Sequence, residues 1–161
     1  MLIIAMLIYA FAMTVANLLV VAFGPVVTPI NSFLLIGLDL TLRDWLHMRL
    51  KFWQMASLIA CSGGLTYLLN PAAGQIAIAS AVAFTAAASV DFAVFSRMTG
   101  SWIRRSNFSN IFAAGVDSII FPTIAFGSLI PIIVLSQFIA KIVGGAIWAF
   151  VFVRVTKGNN I

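Results

Sequence analysis

Eight of the nine Lys and Arg residues fall in three short segments, 43–51, 97–105 and 154–157, set at alternate breaks between long apolar stretches. The intervening breaks, around Gly24, Asn70 and Gly127, carry none. Basic residues gathered at every second break are what a polytopic membrane protein shows, because Lys and Arg are retained on the cytoplasmic side. Composition agrees: 63% of residues are hydrophobic and 8% charged, against roughly 25% charged in soluble domains. That excludes a water-soluble fold. The net charge of +5 does not point to nucleic acid, since the basic residues sit in small groups at the ends of apolar segments rather than along one groove.

Breaks at Pro, Gly and charge divide the chain into six segments, 1–22, 27–42, 52–69, 72–96, 107–126 and 131–153. Each is near the ~20 residues a helix needs to cross a bilayer. Gly24-Pro25, Asn70-Pro71 and the stretch 127–131 read as tight turns. The first segment lacks a basic n-region, and its apolar run is long enough to span, so it reads as a helix rather than a cleaved leader. Transmembrane β-strands alternate apolar and polar residues, whereas these runs are apolar on both faces. The expectation is a single all-α domain over 1–161, with six transmembrane helices in the inner (plasma) membrane and both termini cytoplasmic. Alanines at four-residue spacing, Ala73, Ala77 and Ala81 and then Ala79, Ala83 and Ala87, predict close helix packing for the fourth segment.

Ionisable residues inside such segments are expensive and face a partner or an interior cavity. Asp39, Asp91, Asp117 and Lys141 lie within or late in their spans, and Asp117 and Lys141 are the deepest. Helical arithmetic puts Gln137, Lys141, Gly144 or Gly145, and Trp148 on one face of the sixth segment. On the fifth, Asn107, Asn110, Ala114, Asp117 and Phe121 share a face. Asp117 and Lys141 can neutralise each other, and the amides can bond between helices. Two polar stripes also suit a shared ligand site. A purine-like base offers donors and acceptors to Asn, Gln and Asp, and a face for Phe121 or Trp148 to stack on. Asp39 and Arg43 have the i,i+4 order of a helical ion pair. His47, the chain's single His, reads as an interface residue near Arg43 and Arg49.

No phosphate-binding GxxxxGK[ST] loop, GxSxG elbow or HExxH pair is present, and the single Cys61 permits no intrachain disulfide. Neither an enzyme nor an ATP-driven motor is indicated, and no cofactor or metal is expected. Any energy for uptake comes from a gradient or a separate partner.

The runs GLDLTLRDWLH (37–47), ASAVAF (79–84), SVDFAVF (89–95), SN (106–107), VDSIIF (116–121) and AFG (125–127), with Gln137 and Lys141 beyond them, resemble the VUT family of queuosine precursor transporters. The resemblance runs in order from about residue 29 onward. It implies six transmembrane helices, import of a 7-deazaguanine such as the cyano or aminomethyl precursor of queuosine, and similarity to the substrate-binding subunits of energy-coupling-factor transporters. It also implies a site built from Asn107, Asp117, Gln137 and Lys141, with Asp91 and Arg43 as further candidates. Ala88 departs from the family pattern, where relatives carry Glu. The expected function is import of a deazapurine base bound among the fourth to sixth helices. The alternatives are a capture subunit for a vitamin or nucleobase that needs an ATP-driven partner, and a purely structural membrane protein. A homo-oligomer is compatible with each.

Overall fold

The computed structural model describes residues 2–156, and among them every regular element is helical. Helix α1 covers Leu2–Phe23. Gly24, at φ 68°, breaks it in the left-handed region that glycine tolerates, and a 3-10 turn, Gly24–Val27, follows. The chain then runs through a one-turn α2, Thr28–Asn31, a π-helical stretch, Ser32–Ile36, and α3, Gly37–His47. The remaining helices are α4 (Phe52–Leu69), α5 (Gly74–Arg97), α6 (Trp102–Phe126) and α7 (Pro131–Thr156).

Five helical runs are long and apolar enough to cross a membrane, the first being the 46-residue run Leu2–His47. That run is not straight. It turns at Gly24, and the second leg packs back on the first: Asn31 Nδ2 donates to the Ala16 carbonyl at 2.7 Å, and α3 contacts α1. Pro25 and Pro29 sit in the first turns of their short helices, where a missing N–H is harmless.

Several helix ends depart from expectation. Helix α6 begins at Trp102 rather than 107, and α3 continues to His47. Arg97, Arg104 and Arg105 lie within helices instead of loops, because their long stems fold onto apolar surface while the charge reaches the boundary. Arg49 lies over the Trp45 ring at 3.8 Å, and Arg105 over Phe95 at 4.0 Å. The bundle's exterior is apolar, with Leu68 79% and Ile3 72% exposed, a surface made for lipid rather than water.

Helix α5 packs chiefly on α6, α6 on α7, and α7 on α3. Ala79, Ala83 and Ala87 are fully buried and let the α5 backbone approach its neighbours. Glycine does the same where α7 crosses the second leg. A Cβ on Gly37 would stand 2.7 Å from the Gly144 carbonyl carbon, and one on Gly144 would collide with the Phe33 carbonyl. Thr41 Oγ1 bonds the Gly145 carbonyl at 3.2 Å across the same crossing. Gly144→Val should therefore cost at least the ~1–3 kcal/mol of an overpacked core. Thermal unfolding in detergent checks this, against an exposed control such as Gly64→Ala, which has nothing within 4 Å of an added Cβ.

Candidate binding cavity

A narrow cavity of about 20 Å³, room for about one water, lies among five parts of the bundle, so a ligand the size of a base enters only when the walls part. Helix α1 contributes Asn17, the second leg Asn31 and Ile36, α5 Ser80 and Phe84, α6 Asp117 and Phe121, and α7 Gln137 and Lys141.

The polar wall is ordered around Lys141. Its ammonium donates to Asp117 Oδ2 at 2.6 Å, Gln137 Oε1 at 2.9 Å and Ser118 Oγ at 3.1 Å. An ammonium has three donors, so this group is fully occupied. The arrangement also sets its neighbours: Gln137 presents its Nε2 without a partner, and Asp117 its Oδ1. On the facing leg, Asn31 spends its Nδ2 on Ala16 and leaves Oδ1 unpaired. Asn17, by contrast, is satisfied on both sides, donating to Thr66 Oγ1 at 3.4 Å and accepting from Ser80. Two acceptors and one donor, all buried, thus remain unmatched beside the Phe84 and Phe121 rings. Unpaired buried polar atoms each cost about 1–3 kcal/mol, which a ligand of complementary pattern recovers.

Outside the cavity lining, Pro122 lacks an N–H and leaves the Ser118 carbonyl one turn earlier without its helical donor.

Of the residues singled out from sequence, Asp117, Phe121, Gln137 and Lys141 line this cavity. The other four lie elsewhere. Arg43 is fully buried, paired with Asp39 at 2.6 Å, and its guanidinium lies over the ring of Phe84, a cavity wall, 5.6 Å from the centroid. Asp91 pairs with His47 at 3.4 Å. Trp148 Nε1 donates to the Leu34 carbonyl at 2.9 Å and ties α7 to the second leg. Asn107 keeps a buried, unpartnered Oδ1 outside the cavity lining, while its neighbour Asn110 donates to Asp44 at 3.3 Å.

Sequence reasoning passed over Asn17, Asn31 and Ser80, and it placed the site among the last three helices. The signal was available: Asn17 is a lone amide in a 22-residue apolar helix, and amides in hydrocarbon need partners as charges do.

A family model described as "Putative vitamin uptake transporter" matches residues 1–155. No curated protein and no solved structure matches the chain.

Proposed function

Because the chain belongs to the vitamin uptake transporter family, we propose that it imports a small planar base of the 7-deazaguanine type, held in the cavity between Asp117, Gln137 and Asn31. The observation that carries this reading is the unmatched set of polar atoms beside two aromatic rings. A guanine-like edge presents one carbonyl acceptor next to two N–H donors. Gln137 Nε2 suits the carbonyl, Asp117 Oδ1 the ring and exocyclic N–H groups, and Asn31 Oδ1 the five-membered ring's N–H. Phe84 and Phe121 flank the plane. Lys141 acts as a positioning residue that pairs with Asp117 and fixes the Gln137 amide.

In this reading the chain crosses the inner membrane six times, the run Leu2–His47 counting as two passes through its turn at Gly24. Both termini then lie on the basic, cytoplasmic side. Reporter fusions at either end should both read cytoplasmic, and a split result would remove the sixth pass.

Gln137→Leu should weaken binding of the base about tenfold to a hundredfold, the effect of losing one buried hydrogen bond to a carbonyl. Equilibrium binding of radiolabelled base to purified protein checks this. Flux distinguishes the importer from a capture subunit. Liposomes holding this chain alone should equilibrate labelled deazaguanine across the membrane. Saturable binding without flux would instead assign the chain as the binding partner of an energising complex.

A further inference from the structure

All four acidic residues of the chain, Asp39, Asp44, Asp91 and Asp117, are buried. Among the described residues the buried permanent cations are Arg43 and Lys141. Lys141 is committed to Asp117 and Arg43 to Asp39. Asp44 and Asp91 are therefore left, on different helices, without a fixed counter-charge. An uncompensated charge costs several kcal/mol in a low-dielectric interior.

Three features show how the charge of the pair is lowered. Asp44 lies one turn before His47 on the same face of α3, the face that meets Asp91 of α5, and Asp44 Oδ1 and both Asp91 carboxyl oxygens lack a hydrogen-bond donor. Two buried carboxyls turned toward one another hold a proton between them, which leaves the pair a single negative charge beside His47. His47 Nδ1 stands 3.4 Å from Asp91 Oδ2, with a side chain only 6% exposed. It lines a recess, together with Lys51 and Phe52, that opens to the basic end of the bundle. Around the pair, Ser106 donates to Asp44 and Asn110 Nδ2 also reaches it. Arg43 pairs with Asp39 and lies over Phe84, two turns before Asp91 on the same face of α5, and it keeps Nε and Nη1 unpaired.

We propose that Asp44, Asp91 and His47 form a proton-binding site that couples substrate uptake to a proton gradient. This rests on the transport reading above, although the site's protonation does not. With the carboxyl pair protonated, Arg43 stays on Asp39, as the structure shows it. When the proton passes from the pair to His47 and out through the recess, Asp91 becomes a full anion that draws the free Arg43 nitrogens toward it. Arg43 lies against Phe84, which is also a wall of the substrate cavity. Movement of the guanidinium thereby reaches the bound base.

The test has two arms. The first needs no substrate: infrared spectra of purified protein near neutral pH should contain a protonated carboxylic-acid C=O band that shifts in D₂O and is lost in both Asp44→Asn and Asp91→Asn. If wild type lacks that band, the proposal is overturned. The second arm uses proteoliposomes and labelled deazaguanine. An inward gradient of one pH unit should sustain up to about tenfold accumulation for one proton per base, the equivalent of about 1.4 kcal/mol. Asp44→Asn and His47→Gln should abolish accumulation while keeping base-for-base exchange within about twofold. Accumulation driven by sodium, or unaffected in both variants, overturns the coupling. Failure of every deazaguanine to bind defeats the substrate reading instead, and leaves the infrared result to decide the proton site.

Discussion

Replacing Asp117 by Ala should abolish uptake and lower stability by about 3–5 kcal/mol, because it strands the Lys141 ammonium inside the bundle. The wild-type pair is 2.6 Å apart, and both side chains are at most 3% exposed. The two effects can be separated. Asp117→Asn with Lys141→Gln is neutral and close in volume, and should recover most of the stability. Uptake should stay absent, since the carboxylate acceptor for the base has gone. Recovered uptake in that double variant would reduce the pair to a structural clasp. Thermal unfolding in detergent and uptake in whole cells supply the two readouts.

Arg43→Met should be comparably damaging, again about 3–5 kcal/mol, through a different residue. Asp39 would be left as a buried anion whose ion-pair partner, 2.6 Å away, is missing. Asp39→Asn added to Arg43→Met should restore most of the loss. Arg43→Lys should not match wild type, because a point charge on a thinner stem covers less of the Phe84 face than a planar guanidinium does. If Arg43→Met unfolds at the wild-type temperature, Asp39 is not held as an ion.

The helical architecture was legible because hydrocarbon imposes its own pattern: long apolar runs, charge at the ends, and internal hydrogen bonding. The turn at Gly24-Pro25 was readable for the same reason. Helix ends were less so, since Arg104 and Arg105 carry charge yet extend α6, their stems lying along the bundle. Half of the candidate site could be read from charge. Asp117, Gln137 and Lys141 are costly in a membrane and fall at helical spacing, so they announce a shared face. Asn31 could not be placed that way. Its position opposite Gln137 depends on the second leg folding back after Gly24 and on the π-helical stretch Ser32–Ile36, a register that side-chain periodicity does not encode. Trp148 illustrates the opposite error. It shares a predicted face with Lys141, but its indole N–H reaches the Leu34 carbonyl of the second leg and it becomes a clasp.

The most direct measurement of the central claim is a thermal-shift titration of the detergent-purified protein against deazaguanines, guanine and a set of vitamins. A ligand at a hundredfold excess over its Kd adds about 2.7 kcal/mol to the folded state. The cavity described above predicts a saturable rise with a deazaguanine, weaker with Gln137→Leu and absent in the neutral Asp117→Asn, Lys141→Gln variant. A saturable rise with an unrelated vitamin alone, or an equal rise in that variant, would contradict it.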